Sequence, residues 1–138
     1  MSILISGKET NLGPLSVRRV LPHRDVRSVG PFVFFDRMGP ASFEPGQGVD
    51  VAPHPHIGLA TVTYLFEGAI RHHDSLGSLL EIQPGDLNWM SAGRGITHSE
   101  RTDGAARQKP HSLFGIQTWV AMPKDAEDSA PGFEHADK

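Results

Sequence analysis

Pro53-His54-Pro55-His56 and His98-Ser99-Glu100 are two places in the chain where metal-binding side chains recur at a spacing of two. On extended backbone, residues two apart point to the same side, so His54 with His56, and His98 with Glu100, can each turn both side chains to one interior. Two strands would then bring three imidazoles and one carboxylate to a single point. A His-x-His pair alone is a weak pattern, and a lone histidine in a strand is more often a hydrogen-bonded structural residue. Two pairs at the ends of one hairpin-rich segment point instead to a metal.

Three neutral imidazoles and one carboxylate leave a divalent ion with roughly one unit of positive charge by formal count, which favours an anionic substrate. If the ion is octahedral, four protein ligands leave two positions open, enough for a bidentate substrate or for substrate beside dioxygen. Structural zinc normally closes a tetrahedral shell, often with thiolates, and this set does not require that reading. Iron, manganese, nickel, cobalt, copper and zinc all accept imidazole and carboxylate, so the residues do not choose among them. Because histidine binds only when neutral, metal affinity is expected to fall as pH drops through the ordinary imidazole range near ~6.5.

The chain that must position these groups has 138 residues, a formal net charge of -3 and no cysteine. That length suits one domain with one core. The absence of cysteine removes disulfides, thiolate ligands and thiol nucleophiles. With no lysine or arginine block, direct nucleic-acid binding is not expected. The opening Met1-Ser2-Ile3-Leu4-Ile5 lacks the basic flank and long apolar run of a signal peptide, and no later run reaches membrane-spanning length. A soluble cytoplasmic protein without a membrane role is the expectation.

Turns and alternating apolar residues, with little that resembles an amphipathic helix, predict a β-barrel with the metal in its mouth. Strands are expected over residues 15–20, 29–36, 59–66, 79–82, 87–90, 96–98 and 112–122. The glycines and prolines from Met38 to Gly48 predict a loop in which Phe43 is an anchor. Gln83-Pro84-Gly85-Asp86 suits a type II turn, and Ser91-Ala92-Gly93-Arg94-Gly95 suits a tight hairpin. If the register runs unbroken from His54, then Val62, Tyr64 and Phe66 share the histidines' face and line an apolar cavity, whereas a bulge at Gly58 would reverse them. Of His72 and His73 at most one can look inward, and neither is expected to be a ligand. Residues 1–123 form the expected domain, and 124–138 a charged tail or interdomain linker in which His135 is solvated.

Several of these stretches together resemble the pirins, a family of the cupin superfamily. The resemblance is carried by Gly30-Pro31-Phe32-Val33-Phe34-Phe35-Asp36-Arg37-Met38-Gly39-Pro40, by Pro53-His54-Pro55-His56-Ile57-Gly58 and by Thr63-Tyr64-Leu65-Phe66-Glu67-Gly68. It continues through His73-Asp74-Ser75-Leu76-Gly77 and the long stretch from Pro84 to Glu100. It implies an all-β fold, a single-domain cupin barrel (double-stranded β-helix or jelly roll) like the metal-binding N-terminal half of a pirin. By the same resemblance one metal, usually iron, sits on His54, His56, His98 and Glu100.

Two functions follow from it. One is opening of quercetin or another flavonol or small aromatic enol with dioxygen, with Glu100 as catalytic base. The other is a metal-dependent redox-sensing module with a protein partner, a transcription factor or a metabolic enzyme. Pirins usually carry a second barrel, and a lone one would expose an apolar face, so a homodimer is expected.

Overall fold

The computed structural model describes residues 2–138. Among these residues the chain forms eleven strands: β1 Lys8–Leu12, β2 Leu15–Leu21, β3 Phe32–Phe43, β4 Asp50–His56, β5 Leu59–Glu67, β6 Ile70–Asp74, β7 Leu79–Ile82, β8 Leu87–Ser91, β9 Ile96–Arg101, β10 His111–Ala121 and β11 Gly132–Ala136. One short 3-10 turn, Ala106–Gln108, precedes β10. The strands build a seven-stranded sheet in the order β1-β2-β3-β10-β5-β8-β11 and a four-stranded sheet in the order β4-β9-β6-β7. Paired strands are antiparallel throughout.

The two sheets face each other across an interior filled by alternate residues. Leu15, Val17, Met38, Phe43, Val49, Leu65, Ile70, Ile82 and Leu113 form the larger apolar cluster, and Met90, Ala92 and Ile96 a smaller one against which Phe133 packs. Each fully buried large side chain of this kind stabilises the fold by roughly 1.5–3 kcal/mol relative to exposure. Phe43 is one of them, held at the end of β3 and stacked on His111, so it anchors the core.

The turn at Gln83-Pro84-Gly85-Asp86 forms as its residues dictate. Gly85 takes φ 95° and the Asp86 amide donates to the Gln83 carbonyl at 3.0 Å. Four expectations are corrected. The Met38-Gly39-Pro40 stretch is not a loop: β3 runs through it, with a bulge against β10 between the pairs Met38–Gly115 and Ala41–Leu113. The 91–95 stretch closes no hairpin, because β8 and β9 belong to different sheets and the turn carries the chain across the barrel.

The third correction concerns β5, where Thr61, Thr63 and Leu65 are buried while Val62, Tyr64 and Phe66 lie on the outer face. Gly58, at φ 70°, sits where the chain leaves the four-stranded sheet for the seven-stranded one, and the alternation starts anew there. Part of the 124–138 stretch is also ordered into the sheet. β11 pairs with β8, and His135, read as solvated, is half-buried and hydrogen-bonded to the Asn88 side chain at 2.7 Å.

Candidate metal centre

β4 and β9 lie side by side with His54 directly opposite His98. His56, two residues along β4, is on the same wall, and one ring nitrogen from each of the three histidines lies within 4.8 Å of the others. His98 Nε2 is 3.0 Å from His54 Nε2 and 3.1 Å from His56 Nε2. His54 Nδ1 is 2.8 Å from the Ala52 carbonyl oxygen, which can only accept, so Nδ1 carries the hydrogen and Nε2 is left as a bare lone pair.

A hydrogen on one of two facing nitrogens makes such a contact an N–H···N hydrogen bond, whereas bare lone pairs at these distances repel unless something positive lies between them. Two imidazole nitrogens each ~2.1 Å from one ion are about 3.0 Å apart at a right angle and about 3.4 Å apart at the tetrahedral angle. The two observed separations match the right-angled case, so the donor set fits an open, octahedral-type site for a divalent transition metal.

These rings are held in the form a metal needs. Burial pushes the His98 imidazole down to about 3, with the neighbouring His54, His56 and His72 adding to the effect. Burial, then His54, pushes His56 down to about 4. A charged imidazolium would have to form in a dry site beside other basic rings, and both forces oppose it. For these two histidines, proton competition therefore sets in well below the ordinary imidazole range expected from the sequence.

Glu100 points to the same interior and is buried, but its carboxylate lies outside the three-histidine group. Both of its oxygens accept from the Gln117 side-chain amide, at 2.9 and 3.1 Å, and that amide also donates to Thr63 Oγ1 at 3.1 Å. Glu100, Gln117 and His54 share the wall of a cavity of about 210 Å³ whose remaining walls are mostly apolar, among them Leu15, Val17, Met38 and Trp119. Residues of β2, β3 and β10 therefore line it, in place of Val62, Tyr64 and Phe66. At its edge Arg19 holds Asp36 through two hydrogen bonds of 2.9 and 2.8 Å and lies 4.4 Å from the centre of the Phe34 ring, which stacks on Trp119 at 4.0 Å.

Against this geometry stand the comparisons with known proteins. The sequence profile of the pirin family matches residues 14–120. The chain belongs to the pirin family. Its fold is the cupin barrel. A pirin-like protein of Caulobacter vibrioides is 51% identical over 137 residues, covering 98% of this chain and 47% of that protein. Among solved structures, a quercetin 2,3-dioxygenase from Acinetobacter baumannii superposes with a TM-score of 0.85 at 40% identity, covering 95% of this chain and 42% of that one. A bacterial pirin from Escherichia coli, solved in complex with nickel(II), gives 0.77 at 25% identity, covering 94% of this chain and 54% of that one. The chain thus spans about half the length of the relatives it matches. Among the described residues no helix is long and apolar enough to cross a membrane.

In this pirin the inward member of the His72-His73 pair is His72, buried behind His98, while His73 is exposed. His72 Nε2 is 2.8 Å from Asp74 Oδ2, and His72 Nδ1 is 3.5 Å from His98 Nδ1. Burial raises the affinity of Asp74 for a proton, but hydrogen bonds from His72, Ser78 and Leu76 outweigh it and hold the carboxyl below its ordinary value. Sequence reasoning missed Gln117 as a partner of Glu100. A polar amide within the apolar run from Leu113 to Val120 was the available signal. It missed the Arg19–Asp36 pair altogether, because the two residues are seventeen apart and meet only through the β2–β3 register, Arg19 opposite Asp36. Asp86, His135 and Asp137 form a second group of metal-binding type. Asp86 accepts from the Gln83 amide at 2.9 Å, and His135 Nε2 is 3.1 Å from Asp137 Oδ1 and 3.7 Å from Asp86 Oδ2, where β11 meets the barrel.

Proposed function

We propose that this chain is a metal-dependent dioxygenase of the quercetin 2,3-dioxygenase type. His54, His56, His98 and Glu100 hold one divalent transition metal, iron first among the candidates, and a flavonol or related small aromatic enol is opened with dioxygen. The observation that carries the reading is the convergence of one ring nitrogen from each of three histidines, with His54 also lining a largely apolar cavity. It is supported by the likeness to a solved quercetin 2,3-dioxygenase.

When bound, a transition metal supplies Lewis-acid polarisation and one-electron redox capacity. The protein's own residues do the rest. Leu15, Val17, Met38 and Trp119 exclude water and receive the flat apolar part of the substrate. The Glu100 carboxylate takes the proton of the enol hydroxyl, and the Gln117 amide holds it facing the cavity until then. Glu100 lies outside the three-histidine group and reaches the metal only by a change of its own side-chain position. The cavity is smaller than the roughly 300 Å³ at which ligand pockets commonly begin. A compact enol is therefore enclosed, whereas a flavonol projects through the mouth.

Metal analysis of protein purified without added ions, followed by oxygen uptake and carbon monoxide release with quercetin, tests the reading. Turnover with reconstituted iron is the expected result, and no turnover with any of the candidate metals sinks it. The ligand set is tested separately: a His98→Ala, Glu100→Ala double variant should lose stoichiometric metal.

A second reading, a metal-dependent module that binds a protein partner or a second copy of itself, is favoured by the outer face of the seven-stranded sheet. There Tyr64, Phe66 and Phe114 form a chain of ring contacts at 5.1 and 4.9 Å, with Phe66 half exposed. Capture of partners from cell extract with oxidised and with reduced protein separates it from the first, because only this reading requires the captured set to change.

A further inference from the structure

We propose that Asp74 and His72 form a two-step hydrogen-bond chain that fixes the tautomer of His98 and thereby presents its Nε2 lone pair to a divalent cation. The proposal rests on the reading of His98 as a ligand and adds two positioning residues behind it.

The chain of inference starts at Asp74, whose side chain is wholly buried. Its Oδ1 accepts from the amides of Leu76 and Ser78, at 2.9 and 3.1 Å, in the turn between β6 and β7. That anchors the carboxylate and aims Oδ2 at His72 Nε2, 2.8 Å away. A carboxylate only accepts, so His72 Nε2 carries the hydrogen. With one hydrogen on the ring, His72 Nδ1 is a lone pair. That lone pair faces His98 Nδ1 at 3.5 Å, the longest link, and the contact is attractive only if His98 carries its hydrogen on Nδ1. His98 Nε2 is then bare, and it faces the Nε2 atoms of His54 and His56.

Strand geometry makes this chain a product of the fold. β6 and β9 pair with Asp74 opposite His98 and His72 opposite Glu100. His72 and Asp74, two apart, share the inward face. Phe133 of β11 stacks on the His72 ring at 4.3 Å and 17°, a contact that favours the observed ring orientation. His54 reaches the same tautomer independently through the Ala52 carbonyl. Two of the three imidazoles are thus set by acceptors on their outer nitrogens, the arrangement that orients metal-bound histidines generally.

Replacing Asp74 by asparagine keeps the shape and reverses the polarity. In Asp74→Asn the amide oxygen stays with the two turn amides and the NH2 group donates to His72 Nε2. The His72 hydrogen moves to Nδ1, His98 Nδ1 must accept, and the His98 hydrogen is left on Nε2, where the cation should sit. Long-range proton–nitrogen NMR of the metal-free wild-type protein should show His98 with its hydrogen on Nδ1, and that of Asp74→Asn with it on Nε2. Calorimetric titration with nickel(II) at one fixed pH should give an affinity about 10- to 100-fold lower for Asp74→Asn.

A wild-type His98 carrying its hydrogen on Nε2 overturns the proposal. So does an Asp74→Asn protein that is folded by circular dichroism and binds nickel(II) as tightly as wild type. If the variant does not fold, the wild-type spectrum alone decides. If wild type binds no nickel(II), the metal reading fails, and the tautomer in the metal-free protein still judges the hydrogen-bond chain.

Discussion

At the scale of single residues, the site brings three ring nitrogens within reach of one cation. His54, His56 and His98 turn ring nitrogens toward one another, and burial keeps His56 and His98 from taking protons. That has a measurable cost for the metal-free protein. The two rings titrate near ~6.5 in the unfolded chain but near about 3 (His98) and about 4 (His56) in the folded one. Between these values the unfolded state binds more protons, so stability rises with pH across the window and is lost as pH falls from about 6.5 toward 4 and below. Urea denaturation of metal-free protein should give a lower midpoint at pH 5 than at pH 7, with a smaller difference in His98→Ala. Equal midpoints in the wild-type protein would show that the rings are charged in the fold. Glu100 offers a matching test, since Gln117→Leu strips its buried carboxylate of both amide hydrogen bonds. The variant should lose about 1–3 kcal/mol in the same denaturation measurement.

At the scale of elements, the ligand strands were legible because a spacing of two has one meaning on extended backbone, and β4 and β9 carry it. The faces of the other strands were less so. Alternation tells which residues go together but not which sheet receives them, and at Gly58 the chain changes sheets, so Val62, Tyr64 and Phe66 faced outward although their pattern was right. β1 left no apolar signal because every one of its residues is exposed; it exists by pairing with β2. β11 likewise depends on β8, whose residues lie far back in the sequence, as in the pair Gly132–Ser91. In β3, Gly39-Pro40 looked like a strand end and is a bulge. Gly39 has φ 74°, and an added Cβ would run into the Leu113 carbonyl oxygen of the neighbouring strand. Gly39→Ala must therefore strain the backbone or push β10 away, at a cost of about 1–3 kcal/mol. Thermal unfolding should register it as a clear drop in midpoint, whereas Gly13→Ala, at φ 61° with nothing near its Cβ, should cost less. Equal effects would mean that the β3–β10 contact yields freely.

At the scale of the whole molecule, the two faces of the seven-stranded sheet have different fates. The inner one closes the barrel and lines the cavity. On the outer one, cross-strand pairs set Ile116 beside Tyr64, Tyr64 beside Leu87, and Val62 beside Trp89, and Phe66 and Phe114 extend the same apolar surface. These side chains cover one another, which is why most are half-buried, and among the described residues Phe66 is 50% exposed. A contiguous aromatic sheet face of this kind is uncommon on a soluble monomer and marks a surface that binds. We propose that in solution it meets the same face of a second copy, since an apolar patch can close on itself about a two-fold axis with each residue used on both sides. Light scattering on a sizing column should then give twice the monomer mass at high concentration. Phe66→Glu, which sets like charges near that axis, should return the monomer mass without changing the nickel(II) bound per chain, since Phe66 faces away from the histidines. A monomer mass for the wild-type protein at every concentration would leave this face to a partner of another kind.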